Sequence, residues 1–311
     1  MQEVRNLCSS AGRDRSKIRA CLQSNADQLS SECRTELGQR AQQRRQSDGE
    51  APVAGAKADE TIFYGSDQRQ QIDIYKPADL VDDVPLVVHI HGGGWSIGNH
   101  KLVQSKPQHF TNSGYMFAST GYRLLPGSPV EQQAADIGLA IRSLVGQANR
   151  IGFDPKSIIV IGHSAGAHLA ALVATNPEYA GDAFSAIKGV VLLDGAGYDI
   201  VENLRSAGPQ VLETYTKVFG TDVARQKSLS PVTHVGGADA PNWLALYVDD
   251  RLQSRSQSEA FMAALADAGA KATATAISNT DHGRMNREIG TPAGAQQTAA
   301  IDAFLAGLTA P

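Results

Sequence analysis

The sequence predicts an α/β fold, a mostly parallel sheet flanked by helices and preceded by a small helical segment that carries cysteines. Three observations predict it. From about Asp59 onward, short apolar runs alternate with longer amphipathic stretches. One run leads through Gly162-His163-Ser164-Ala165-Gly166 into a stretch of small residues. All three cysteines, Cys8, Cys21 and Cys33, lie within the first 33 residues of a 311-residue chain.

The elements follow in order. Residues 1–46 hold nine Lys/Arg against five Asp/Glu, a balance of +4 that leaves −8 for the remainder. Helices fit near Arg13–Ser24 and from Leu29-Ser30-Ser31-Glu32, where a serine can cap. Residues 47–58, with Pro52 among Ala and Gly, read as a linker to a domain over 59–311. Thr61–Tyr64 and Gln71–Tyr75 read as paired strands, since Gln71-Ile72-Asp73-Ile74 alternates polar and apolar. Pro85–Ile90 is a buried type of strand, followed by a helix over Lys101–Ser113 and an extended Tyr115–Thr120. Val130–Ala148 is a long amphipathic helix, and Ser157–Ile161 is the strand before the glycine-flanked serine. Further strands fall at Ile187–Leu193, Asn242–Val248 and Thr273–Ile277, with helices at Ser254–Ala268 and Ala295–Leu308.

Bulk properties narrow the function classes. Hydrophobic residues make up 42% of the chain and charged residues 19%, as in a globular protein. A net charge of −4 gives no reason to expect nucleic acid. No run of 18 apolar residues suggests a membrane span, and the first ten residues lack the apolar core of a secretory leader. Clustered cysteines nevertheless suggest a stapled module and an oxidising compartment, periplasmic or secreted rather than cytoplasmic. Three is odd, so one thiol is left over or pairs with another chain. A zinc site is disfavoured, because no histidine precedes His89 and no C-x-x-C occurs. Nothing fixes an oligomeric state, a homodimer included.

The chemistry gathers at three places. Gly162-His163-Ser164-Ala165-Gly166 joins an apolar strand to a helix, the strand–turn–helix of a nucleophile elbow. A serine hydroxyl is a weak nucleophile and needs exposure, a base and donors for the oxyanion. His91-Gly92-Gly93-Gly94-Trp95 follows an early strand, and its glycines leave backbone N–H groups unobstructed. Thr280-Asp281-His282-Gly283 follows the last strand and supplies a histidine late in the chain. Asp249 and Asp250 end the penultimate strand, and Asp194 ends the one before it; each is a candidate carboxylate. His89, His91, His100 and His109 lack convergent carboxylate or cysteine partners, so no metal is expected, and serine acyl transfer needs no cofactor.

These motifs, with Gly121-Tyr122-Arg123-Leu124 and His168-Leu169-Ala170, make the Asp59–Pro311 region resemble the α/β-hydrolase superfamily. Within it, the hormone-sensitive-lipase-like carboxylesterases, BD-FAE proteins and kynurenine formamidases are similar. The resemblance implies a serine carboxylesterase acting on small carboxylic esters through an acyl-enzyme. An arylformamidase or feruloyl-type esterase is the alternative, and a silent binding protein on the same fold a third. It implies Ser164 as nucleophile, His282 as base, and the N–H groups of Gly93, Gly94 and Ala165 as oxyanion hole. Relatives place an Asp seven residues before a Gln-Ser pair, which selects Asp250 over Asp249 ahead of Gln257-Ser258, with Asp194 as a substitute. Trp95, His163 and Tyr198 are expected to line the pocket, under a cap built from Val201–Phe219. Arg123, Arg205 and Arg284 are the cations considered for an anionic formamide. Separately, Cys8…Cys21…Cys33 resembles a cysteine-rich repeat found in a Golgi glycoprotein and in exported bacterial proteins, less its fourth cysteine.

Overall fold

Alternation along the strands decides which side of the sheet each residue serves. In Val84–Ile90 (β3), Leu86, Val88 and Ile90 join the core on one face, while Val87 joins the core on the other. Phe153–His163 (β5) divides the same way, Ile158 and Val160 against Ile159 and Ile161. A strand apolar on both faces must be covered on both, so helices sit on each side. The computed structural model describes residues 56–79 and 83–309, together with Cys21.

The chain divides into two compact units, Met1–Val53 and Ala54–Pro311. In the first, Cys21 is helical, half-buried and disulfide-bonded. Cys8, Cys33 and the rest of the expected 1–46 segment lie outside the described residues.

The second unit is built on one eight-stranded sheet in the order β1-β2-β4-β3-β5-β6-β7-β8. Its remaining strands are Glu60–Phe63 (β1), Gln71–Tyr75 (β2), Met116–Thr120 (β4), Ile187–Leu193 (β6), Asn242–Val248 (β7) and Lys271–Ile277 (β8). β1 and β2 pair antiparallel, β2 joins β4 antiparallel, and every later pairing is parallel. The register brings the strand ends level: Ile90 pairs Gly162, His163 pairs Leu193, Leu193 pairs Leu246, and Val248 pairs Ile277. The loops leaving these strands therefore emerge along one edge, where open α/β sheets place their ligands.

The helices are Lys106–Asn112 (α1), Val130–Gly146 (α2), Ala148–Ile151 (α3), Ala165–Thr175 (α4), Ile200–Ser206 (α5), Pro209–Phe219 (α6), Val223–Ser228 (α7), Leu252–Asp267 (α8), Arg284–Arg287 (α9) and Ala295–Thr309 (α10). Helix α4 is wholly buried and made mostly of small and apolar residues, with His168 and Thr175 hydrogen-bonded within the core. Ile137, Ile141 and Leu144 of α2 and Phe261 and Leu265 of α8 pack on its side of the sheet. Phe110 of α1 and Ile301 and Leu305 of α10 close the other. Helix α1 starts five residues later than the sequence suggests, because Gln104 adopts φ 49° and Pro107 sits in the first turn. Between β6 and β7, helices α5 to α7 replace the single expected insertion. Among the described residues no helix is long and apolar enough to cross a membrane.

Candidate active site

Ser164 occupies the corner between β5 and α4 with φ 56° and ψ −120°. A non-glycine residue there is strained, and the surrounding fold must hold it. Its N–H continues the sheet ladder to the Leu193 carbonyl at 3.0 Å. The flanking glycines are required by contact. A Cβ on Gly162 would lie 2.3 Å from the Gly166 carbonyl oxygen, and one on Gly166 would lie 2.3 Å from the Ile90 oxygen. Helix and strand could not close to this distance around any side chain.

From that corner a hydrogen-bonded chain runs inward. Ser164 Oγ stands 3.0 Å from His282 Nε2, and His282 Nδ1 stands 2.6 Å from Asp194 Oδ2. A carboxylate can only accept, so Nδ1 carries the proton and Nε2 turns its lone pair to the hydroxyl. Asp194 follows Leu193 at the end of β6, with φ 46°, and its side chain is fully buried. Its Oδ1 accepts from the Val248 N–H at 3.1 Å, and Oδ2 also accepts from Arg251 Nη1. Burial alone would raise the carboxyl, but the His282 hydrogen bond, the Arg251 charge and the Val248 N–H outweigh it and hold it at about 2.

The carboxylate that meets His282 is thus Asp194, where the sequence pointed to Asp250. A tight turn explains the difference. The Arg251 N–H bonds the Val248 carbonyl at 3.0 Å, which leaves Asp249 and Asp250 exposed and turns Arg251 inward. Asp249 accepts from the Ser278 hydroxyl at 3.1 Å, away from His282. Asp194 had a readable signal in its place at the end of the apolar run Val190–Leu193, a signal it shares with Asp249 after Trp243–Val248. Arg251, whose Nη1 lies 2.6 Å from His282 Nδ1, belongs to no motif and was missed.

The glycine loop packs beside the serine. A Cβ on Gly92 would come within 3.0 Å of Ser164 Cβ, and one on Gly93 within 2.0 Å of the Ile97 oxygen. Gly93 and Gly94 have φ of 130° and 57°. Among the described residues, none accepts a hydrogen bond from the N–H of Gly93, Gly94 or Ala165. His91 braces the loop: its ring stacks on Tyr122 at 4.4 Å, and its Nδ1–H donates to the Gly92 carbonyl at 2.8 Å. Burial pushes that imidazole down to about 4, so it acts as a neutral brace.

The three expected pocket residues part company. His163 packs against the His282 ring, tilted to it with centroids 4.6 Å apart, and donates from Nε2 to the His282 carbonyl at 2.7 Å. Burial, then the neighbouring His282, pushes it down to about 3, so it stays a neutral donor. Trp95 lies against α6, 4.9 Å from Phe219 and 5.5 Å from Tyr215, and its indole N–H donates to His168 Nδ1 at 3.3 Å. His168 in turn donates from Nε2 to the Leu229 carbonyl at 2.9 Å. Tyr198 is fully buried and stacks on Phe261 at 4.9 Å. A core position wins for Tyr198 because Gly195 leaves room, where a Cβ would fall 2.2 Å from its hydroxyl.

The cations considered for an anionic substrate are already paired. Arg123 makes a bidentate contact with buried Asp136, Nη2 to Oδ1 at 2.7 Å and Nε to Oδ2 at 2.9 Å. Arg205 bonds Glu202 and Arg284 bonds Glu288. Among the described residues, no three His, Cys, Asp or Glu side chains group to hold a metal ion.

Residues 72–265 match the BD-FAE family model. Kynurenine formamidase of Danio rerio is 28% identical over 221 residues, 71% of this chain and 73% of that protein. A probable isoprenylcysteine alpha-carbonyl methylesterase (ICME) of Oryza sativa subsp. japonica is 30% identical over 233 residues, 68% of this chain and 55% of that protein. Among solved structures, esterase 2 of Thermogutta terrifontis phosphonylated by sarin superposes with a TM-score of 0.70 at 25% identity, over 84% of this chain and 99% of that one.

Proposed function

The chain belongs to the BD-FAE family of α/β-hydrolases and is a hydrolase of the carboxylesterase class; within that class we propose that it cleaves small carboxylic esters through an acyl-enzyme on Ser164. The observation that carries this reading is the chain Ser164 Oγ–His282 Nε2–His282 Nδ1–Asp194 Oδ2, with separations of 3.0 and 2.6 Å.

His282 Nε2 takes the Ser164 proton as Oγ attacks the ester carbonyl. The negative charge that develops on the carbonyl oxygen is met by the N–H groups of Gly93, Gly94 and Ala165. His282 then returns the proton to the leaving alcohol. Water, deprotonated by the same nitrogen, releases the acid from Ser164. Asp194 keeps the imidazole in the productive tautomer and stabilises the imidazolium without itself taking a proton.

Formamide hydrolysis by the same residues is the second reading, favoured by the likeness to the Danio rerio kynurenine formamidase. It asks more of His282, which must protonate a poorer leaving group. A panel of acyl p-nitrophenyl esters, methyl ferulate and N-formyl-kynurenine separates the two by kcat/KM. Ester turnover that leads the panel supports the first reading, and formamide turnover that leads it replaces that reading with the second. Activity that survives Ser164→Ala near the wild-type rate removes both.

A further inference from the structure

A lysine lies buried behind the histidine loop, and the reaction sequence above leaves it without a role. Lys106 opens α1 and is fully buried. None of the ion pairs among the described residues includes it. Its Nζ donates instead to the Asn286 carbonyl at 2.8 Å and to Gln104 Oε1 at 3.1 Å. A buried ammonium without a counter-charge is expensive, so its position calls for an explanation.

The partner is informative. Asn286 belongs to α9, the single turn that starts two residues after His282. That turn is internally stiff: the Met285 N–H bonds the Asp281 carbonyl at 2.9 Å, and the Arg287 N–H bonds the Gly283 carbonyl at 3.0 Å. Whatever fixes Asn286 therefore fixes the backbone that leaves His282. On the other side, His163 already ties the His282 carbonyl. The segment is pinned at residue 282 from β5 and at residue 286 from α1.

We propose that Lys106 is a positioning residue for hydrolysis, which holds the His282 ring at its distances from Ser164 and Asp194 by tying down the carbonyl of Asn286. The proposal rests on His282 as the general base. An uncharged amine has two N–H groups and can keep both bonds, so the tie does not require the charge.

Burial pushes the Lys106 ammonium down to about 7 from its ordinary 10.5. The groups that face it are His89 of β3 and His163 of β5, both held neutral by burial, and the uncharged Gln104 and Asn286. On the α9 segment, Arg284 is taken up by Glu288, Arg287 is exposed, and Asp281 accepts from the N–H groups of Gly283 and Arg284. On α1, His109 is taken up by Asp302. A lysine less basic in the fold than in the unfolded chain makes stability rise with pH between about 7 and the ordinary lysine range. Below pH 7 the fold carries a buried charge that methionine would not.

The test is Lys106→Met and Lys106→Gln in the full chain, with Ser164→Ala alongside. For Lys106→Met, kcat on a p-nitrophenyl ester should fall about tenfold with KM within twofold, while Tm at pH 6 stays level or rises. Activity and stability then move apart, which a merely structural residue cannot produce. Lys106→Gln keeps one donor and should hold kcat within about threefold of wild type. Both variants should lose the rise of Tm between pH 7 and 9. The proposal is overturned by an unchanged kcat in Lys106→Met, or by kcat and Tm falling together at every pH. Should Lys106→Met not fold, Lys106→Gln decides: near-normal kcat with a flat Tm profile supports the tie, and a joint collapse overturns it. Wild-type ester activity that survives Ser164→Ala defeats the esterase reading itself, an outcome distinct from these.

Discussion

The ends of β6 and β7 carry the same side chain in opposite circumstances. Asp194, one residue past β6, is sealed from solvent and receives Val248, His282 and Arg251. Asp250, two residues past β7, lies exposed in a turn. Both are aspartates beside parallel strands at the same edge of the sheet. The turn that closes between Arg251 and Val248 separates them, sending one carboxylate outward and a guanidinium inward. A charged side chain takes its role from what the backbone lets it meet.

That contrast can be broken by experiment, and the largest effect lies outside it. Ser164→Ala should lower kcat by about 10⁶-fold, leaving only binding and oxyanion stabilisation. Asp194→Asn should cost about 10³- to 10⁴-fold, because an amide presents the wrong partner to Nδ1–H. A greater loss in Asp250→Asn would invert the comparison. Arg251→Met removes the side-chain contact from the β7 turn to Asp194 and leaves the Val248 N–H in place. The Arg251 side chain is 38% exposed, which limits the effect to about tenfold in kcat/KM. Stability against acid gives a smaller signal. The Asp194 carboxyl is held below its unfolded value, so its contribution is complete above about pH 4 and lost as pH falls towards 2. Acid titration of the unfolding free energy should show a loss about 2 kcal/mol larger there in wild type than in Asp194→Asn. Asp250→Asn should change kcat/KM by less than about twofold and leave the acid limb intact.

The sheet was legible because its central strands are apolar on both faces, a pattern a surface strand cannot carry. Ile187–Leu193 and Asn242–Val248 were read to the residue. The serine corner was legible for a different reason: only glycine fits at 162 and 166, so local sterics write themselves into the sequence. The spacing ahead of Gln257-Ser258 points to Asp250, whereas the pairing of Asp194 with His282, 88 residues on, is made only by the register of β6, β7 and β8. Arg251 and Lys106 were invisible for the same reason, since each acts across the sheet edge on a residue in another loop. The Tyr198 ring turns into the core behind Gly195, a choice no local pattern encodes.

The ring at position 163 sets a rule for substitution. Its Nε2–H donates a hydrogen bond to the His282 carbonyl, so a replacement that keeps the contact must be a donor of similar reach. Asparagine or glutamine could satisfy that demand in part. An ionised aspartate there would face the carbonyl with nothing to donate. The residue ahead of the nucleophile is thereby constrained by the main chain of the last loop of the sheet.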